Sequence, residues 1–257
     1  MCNAGYLRLF LELSKSEKVV KAEGQKMILK DGDKKYKRVL AMSDIHGHFT
    51  EFMEVYKKIN FTEDDLLIFL GDYIENGGED LKMLRWLMKE NKKENVIILC
   101  GNMEDEILKF FNKNDFSKIY GEDSADTSHD LNEAVKKEPN IIKEVYEFLK
   151  NLPTYFYLEI DNKKIFFCHA GIEPEKSFEE QDRDTLLWIR PNKFADEYEG
   201  DMLIVVGHTS VQKVFGKDCK KPSKIPNKNI LLIDTGIKRA GYISCIDVLS
   251  GEIWQSD

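Results

Sequence analysis

Four of the chain's five histidines sit in short polar clusters, each following an apolar run. Leu40-Ala41-Met42 leads into Ser43-Asp44-Ile45-His46-Gly47-His48, and the run at 66–70 leads into Gly71-Asp72. Ile97-Ile98-Leu99-Cys100 precedes Gly101-Asn102, Phe166-Phe167-Cys168 precedes His169-Ala170-Gly171, and Val205-Val206 precedes Gly207-His208-Thr209. His129 alone stands outside them. Imidazoles, carboxylates and one amide oxygen make a donor set suited to Mn²⁺, Fe or Zn²⁺, and unlike that of a calcium site or a thiolate-bound structural zinc. A lone Asp or His after a strand is commonly a helix cap. Five such clusters, each with a glycine that lets backbones approach closely, exceed what capping requires. The pattern points to a bound transition metal.

The elements that must position these clusters follow from the runs between them. Arg38–Met42, 66–70 and 96–100 are short and rich in β-formers, as buried strands are. Between them, Phe49, Phe52, Met53, Tyr56 and Ile59 share one helical face, and Leu81, Leu84, Leu87 and Met88 share another. Alternating strands and helices imply a parallel sheet layered with helices, whose ligand sites lie beyond the carboxyl ends of the strands. In the second half, Tyr155–Ile160 and 164–168 flank Asp161-Asn162-Lys163, a hairpin signal. Further strands are expected at Leu203–Val206, 230–233 and 242–248, with a last turn at Ser250-Gly251. The first thirty-six residues read as a helix and then a strand capped by Asp31-Gly32-Asp33. A polar, acidic stretch at about 121–140 reads as an insertion with helix at 131–136 or beyond, within one domain spanning 1–257.

Bulk properties narrow the partners. A chain of 257 residues can bury a large core without disulfides. Its net charge of −8 makes it a poor grip for a nucleic-acid backbone, so no nucleic acid is expected as a partner. The stretch at 220–229, with two prolines and four lysines, reads as a solvated loop rather than as a rim for anions. Cys2, Cys100, Cys168, Cys219 and Cys245 are odd in number and show no CxxC pairing, which suits a reduced, cytoplasmic protein. The apolar patch at 7–13 is broken by Arg8 and Glu12, and no run is long enough to span a bilayer, so no membrane contact is expected.

In order and spacing, Asp44-Ile45-His46, Gly71-Asp72, Gly101-Asn102, His169-Ala170-Gly171 and Gly207-His208-Thr209 resemble the calcineurin-like metallophosphoesterases. The pattern is most similar to the bacterial and phage members of the phosphoprotein (serine/threonine) phosphatase branch, over roughly residues 38–248. That resemblance implies an α/β fold of four layers, α/β/β/α: two mixed sheets face to face with helices outside. It also implies two divalent transition-metal ions, Mn²⁺ foremost with Fe and Zn as alternatives, at one edge of the sandwich. Asp44 and His46 would bind the first ion, Asp72 would bridge both, and Asn102, His169 and His208 would complete the second. Such ions sit about 3.5–4 Å apart and acidify a water for in-line attack on phosphorus. Leu186-Leu187-Trp188-Ile189-Arg190 resembles the family's tryptophan–x–arginine segment, which makes Arg190 the phosphate clamp. The implied substrate is a phosphomonoester or phosphoanhydride, on a phosphoprotein or a nucleotide.

Two motifs depart from the family. Where it has aspartate–arginine–glycine, the chain reads Glu75-Asn76-Gly77. Asn76 thus replaces a phosphate-holding arginine and joins Arg190 and Asn102 among the substrate-contact candidates. Where the family has glycine–asparagine–histidine–glutamate, the chain reads Gly101-Asn102-Met103-Glu104. The lost histidine, paired with the lost aspartate, is the family's general acid, a function worth roughly 10²–10⁴-fold. Asp72, Arg190 and Glu75 remain as catalytic candidates. Three uses of such a site are open. It could cleave substrates with good leaving groups, such as phosphoanhydrides. It could draw its proton from Glu75, Glu104, His48 or His129. Or it could bind a phosphorylated ligand with little turnover, as a binding or interaction protein on a phosphatase fold.

Overall fold

The computed structural model describes residues 26–29, 36–111, 125–239 and 241–257. In chain order the first half comprises β1 (Lys26–Leu29), β2 (Arg38–Met42), α1 (Phe49–Ile59), β3 (Asp65–Phe69), α2 (Asp80–Glu90), β4 (Val96–Ile98), α3 (Asn102–Phe110), α4 (Ala125–Ala134) and α5 (Ile141–Lys150). The second half adds β5 (Tyr155–Ile160), β6 (Lys163–Cys168), α6 (Arg183–Trp188), β7 (Leu203–Val206), α7 (Val211–Phe215), β8 (Ser223–Lys224), β9 (Ile230–Leu232), β10 (Ser244–Asp247) and β11 (Ile253–Gln255).

Two mixed sheets result. One runs β11-β10-β2-β3-β4, the other β1-β5-β6-β7-β9-β8. Neighbours β2, β3 and β4 are parallel, as are β6, β7 and β9. The chain therefore leaves all six of these strands in the sense that carries the polar clusters to a shared end.

Alternation along the strands sorts side chains into three cores, because successive residues of a strand face opposite ways. Leu40, Met42, Leu67 and Phe69 meet the apolar faces of α1, α2 and α5. Val39, Ala41, Leu66 and Ile68 instead meet Phe156, Leu158, Ile165 and Phe167 of the other sheet. On that sheet's far side, Tyr155, Phe166, Ile204 and Val206 pack against Leu186 of α6, Phe194 and Val211 of α7. Three cores separate four layers, and the α/β/β/α sandwich is the observed fold. Register keeps each core continuous: Ala41 pairs with Ile68, and Ile68 with Ile97, all in the inter-sheet core.

The expected hairpin joins β5 to β6, with Asp161 and Asn162 in the left-handed region at φ +49° and +61°. A two-residue primed turn needs this conformation, and Asp and Asn tolerate it. The strand expected near the start is β1, parallel to β5. The helix before it and the turn Asp31-Gly32-Asp33 lie outside the described residues.

The polar stretch differs from its reading. Its helix is α4, which begins at Ala125 and ends at Ala134, earlier than the expected start at 131. Leu131 is buried, but Thr127 and Ser128 are buried too, and polar contacts described below hold Thr127. Apolar spacing could not register such docking. Among the described residues no helix is long and apolar enough to cross a membrane.

Candidate metal centre

Each cluster begins where a strand ends, and backbone bonds lace the first two together. Asp44 N–H donates to the Gly71 carbonyl (3.0 Å), His46 N–H to Asp72 (2.9 Å) and Gly47 N–H to Tyr73 (2.7 Å). Asp44, His46, Asp72 and His208 all hold positive φ, at +54°, +49°, +56° and +60°. For non-glycine residues this conformation costs about 1 kcal/mol or more each, and it persists where surroundings over-determine it. Gly101 is required by proximity: a Cβ there would stand 2.2 Å from Asp72 N.

The side chains converge in two groups that share one member. Asp44, His46 and Asp72 form the first; Asp72, His169 and His208 form the second. His46 Nε2 lies 3.7 Å from Asp44 Oδ1 and 3.6 Å from Asp72 Oδ2. His169 Nε2 lies 3.3 Å from Asp72 Oδ1. Asn102 joins the second group, its Oδ1 being 2.8 Å from both His169 Nε2 and His208 Nδ1. The first strand-end cluster and the last are also tied directly, His208 N–H donating to Asp44 Oδ2 at 2.9 Å.

These donors fit a cation. His46 Nδ1 bonds the Ile74 carbonyl (3.1 Å) and His169 Nδ1 the Leu70 carbonyl (2.9 Å). A carbonyl can only accept, so in each neutral ring the proton sits on Nδ1 and Nε2 presents a lone pair. His169 Nε2 therefore faces the amide oxygen of Asn102 lone pair to lone pair, an arrangement that a positive ion between them satisfies. His208 Nε2 is buried with no hydrogen-bond partner among the described residues. Burial and the adjacent His169 push His208 down to about 4, keeping its ring neutral and able to ligate. Burial opposes charge on Asp44 and His46 as well, yet each draws the other toward the charged form. The Asp44 carboxyl lies well below its usual range, and His46 lies above its own through Asp44 and Asp72.

A sequence model of the family described as calcineurin-like phosphoesterase matches residues 37–236. The chain belongs to that family. It is a phosphoric ester hydrolase of a family that uses divalent metal ions. Among similar proteins is the bis(5′-nucleosyl)-tetraphosphatase PrpE [asymmetrical] of Anoxybacillus flavithermus, 27% identical, covering 80% of this chain and 88% of the relative. The protein of the same description from Bacillus cereus is 29% identical, covering 67% and 78%. In fold the phosphoesterase resembles a crystal structure provisionally assigned as a diadenosine tetraphosphatase (TM-score 0.65, 17% identity, 90% of this chain and 96% of that one). It also resembles a serine/threonine phosphatase from Saccharomyces cerevisiae with similarity to human PP5 (TM-score 0.62, 13% identity, 99% and 90%).

Around the centre of this phosphoesterase, Arg190 is exposed and its Nη1 donates to the Thr209 hydroxyl (3.1 Å), one residue from His208. Trp188, at 37% exposure, stands edge-on to the His208 ring with centroids 6.2 Å apart. The Met103 side chain is half-buried and apolar at the head of α3. Asn76 is exposed, and its N–H donates to Asp126 of α4 (3.2 Å). Glu75 is buried, with Oε1 accepting from the Thr127 N–H (3.2 Å), so one of its oxygens is engaged by α4. The other suggested proton sources are placed as follows. Glu104 is wholly buried beneath Asp72 and accepts from the N–H groups of Gly101, Asp72 and Tyr73. Burial, with the charge of Asp72, pushes it up to about 7. It props the Asp72 loop rather than facing solvent. His48 turns to Glu51 (3.7 Å), and His129 is exposed on α4 beside Asp130.

One feature escaped the sequence. Asp234 is buried after β9, its Oδ1 accepting from Gly236 N–H (2.8 Å), and burial with the Asp44 charge pushes it up to about 8. Asp234-Thr235-Gly236 follows an apolar run just as the five recognised clusters do, and that was the available signal. Beside the centre there is also a positive rim. Burial, together with Arg190 and Arg239, pushes Lys213 below its usual range, so three cations from separate segments gather beside the centre.

Proposed function

We propose that this phosphoesterase is a two-ion enzyme that hydrolyses the phosphoanhydride bonds of a dinucleoside polyphosphate in a reducing cytoplasm, with Mn²⁺ as its ion. The observation that carries the reading is Asp72, whose Oδ1 serves the His169 group and whose Oδ2 serves the His46 group. Asp44 and His46 would hold one ion and Asn102, His169 and His208 the other, with Asp72 serving both groups. Nitrogen and oxygen donors without thiolate suit Mn²⁺. When bound, the two ions supply charge for the phosphoryl oxygens and a water acidic enough to attack at neutral pH.

The chain's own residues do the rest. Arg190, steadied by Thr209, binds and orients the phosphoryl group. Lys213 and Arg239 take the further phosphates of an extended chain. Trp188 offers its exposed ring to a base. Met103 has no proton to lend, which suits a nucleotide phosphate that leaves as a stable anion better than a serine alkoxide. The relatives described as bis(5′-nucleosyl)-tetraphosphatases agree with this substrate class. Cys100, Cys168, Cys219 and Cys245 are free thiols, in keeping with a reducing compartment.

The test is turnover by Mn²⁺-loaded protein of diadenosine tetraphosphate, p-nitrophenyl phosphate and a phosphoserine peptide. The expected order has the first two well ahead of the third. A phosphopeptide rate equal to the others would overturn the substrate class. Binding of all three without turnover would leave the phospho-ligand-binding reading in its place.

A further inference from the structure

The two imidazoles whose Nε2 atoms enter the centre are backed differently. His169 leans on the Leu70 carbonyl, and the N–H of that same peptide, Gly71 N, donates to the neutral Tyr73 hydroxyl (2.9 Å). His46 leans on the Ile74 carbonyl, and the N–H of that peptide, Glu75 N, donates to both oxygens of Asp80 (3.1 Å each). One ring is thus supported through a peptide by a hydroxyl, the other through a peptide by a carboxylate.

We propose that Asp80 is a positioning residue for the first metal site, acting on His46 through the Ile74–Glu75 peptide. A carboxylate on a peptide N–H polarises the peptide and makes its carbonyl a stronger acceptor. The carbonyl then holds the proton on His46 Nδ1 and raises the donor strength of Nε2, as a carboxylate bonded directly to a ligating histidine does.

Three further observations favour this role over a merely structural one. Asp80 is fully buried, its hydrogen-bond donors are the neutral Glu75 N–H and Thr127 hydroxyl (2.5 Å), and its charged neighbours Glu75 and Asp130 are anionic. A buried anion so placed is costly unless positive charge lies nearby, which ions held beyond His46 would supply. Next, the approach to the His46 loop is built for contact. Gly47 adopts φ +70°, and a Cβ there would stand 2.0 Å from Asp80 Oδ1. Lastly, Thr127 belongs to α4, so the Asp80 carboxylate links that helix, which also bonds Glu75 and Asn76, to the peptide behind His46.

The inference rests on the two-ion reading above, and one experiment separates their fates. Metal-free protein is titrated with Mn²⁺ by calorimetry, as wild type, Asp80→Asn and Thr127→Val. The His46 Nδ1–H resonance is followed in the same metal-free samples. Wild type should bind two ions. Asp80→Asn should weaken one of them about tenfold, the low end for outer partners of ligating histidines, and leave the other unchanged. Its His46 Nδ1–H signal should move upfield and exchange faster with water. Thr127→Val, which keeps the carboxylate, should bind both ions within about threefold of wild type. If Asp80→Asn is recovered unfolded, Asp80→Ser is read the same way, since it keeps an acceptor and drops the charge. Wild-type binding of fewer than two ions overturns the two-ion reading. Two ions in wild type with equal affinity in folded Asp80→Asn, or equal weakening at both sites, overturns the role of Asp80 alone.

Discussion

The backbone N–H of Met103 donates to Oδ1 of Asp72 at 2.9 Å. Position 103 therefore keeps its structural hold on the shared carboxylate although its side chain carries no acid. Loss of proton donation without loss of the carboxylate's geometry should appear as a steep dependence of rate on leaving-group acidity. Met103→His should speed hydrolysis of alkyl phosphates by about tenfold or more and barely change aryl phosphates or anhydrides. Because Glu75 is longer than the family's aspartate, the double variant Met103→His with Glu75→Asp is the fairer test of an oriented ring. A shallow leaving-group dependence in the wild type would mean that another group already donates the proton.

Elemental analysis of Mn²⁺-loaded protein should find two ions per chain, and Asp72→Ala should lose both, since its oxygens face both donor groups. Removal of the ions should lower thermal stability. A free ion at a hundred times its dissociation constant contributes about 2.7 kcal/mol per site. An unchanged melting temperature with and without chelator would argue against a filled centre.

Arg190→Ala should weaken inhibition by inorganic phosphate about tenfold or more, the loss of a charge-assisted pair. Turnover should fall with it. Wild-type phosphate affinity in this variant would move the clamp to Lys213 or Arg239.

Trp188→Ala separates base from phosphate. It should weaken affinity for a dinucleoside polyphosphate by about 1–3 kcal/mol while inhibition by inorganic phosphate stays the same. Equal effects on both would make Trp188 a support for His208 rather than a platform.

Asp80 also predicts a pH dependence of stability in the metal-free protein. Burial, with Glu75 and Asp130 adding to it, pushes the carboxyl up to about 6 despite its bonds to Thr127 and Glu75. The folded value lies above the unfolded one, so its contribution is fully present below about pH 4 and is lost as pH rises through about 6. The loss amounts to at most about 3 kcal/mol. Urea denaturation at pH 5 and pH 8 should show a smaller drop in Asp80→Asn than in wild type. The same drop in both would remove Asp80 as its source.

Most of the sandwich, and the six side chains that converge at its edge, could be read from sequence because both rest on strong local signals. Residues 39–42 of β2 and 66–69 of β3 are apolar on both faces, as strands buried on both faces must be, and histidine in a chain with only five of them is conspicuous. The rest hid in residue types with ordinary explanations. Asp80 looks like any acidic residue in a helix's first turn. Asp234 before Thr235-Gly236 looks like a turn. The docking of α4 rests on Thr127 meeting Glu75 and Asp80, about fifty residues away, and no periodicity reports a hydrogen bond of that kind.

The bond from His208 N–H to Asp44 Oδ2 spans 164 residues of sequence. During synthesis β2, β3 and β4 leave the ribosome long before His208, whose bond to Asp44 waits for the rest of the chain. Until then Asp44, His46, Asp72 and Asn102 stand without the two later imidazoles. The two halves of the centre thus differ in age: the Asp44, His46 and Asp72 group is complete in the early part of the chain, and the His169 and His208 group is finished only when the second sheet arrives.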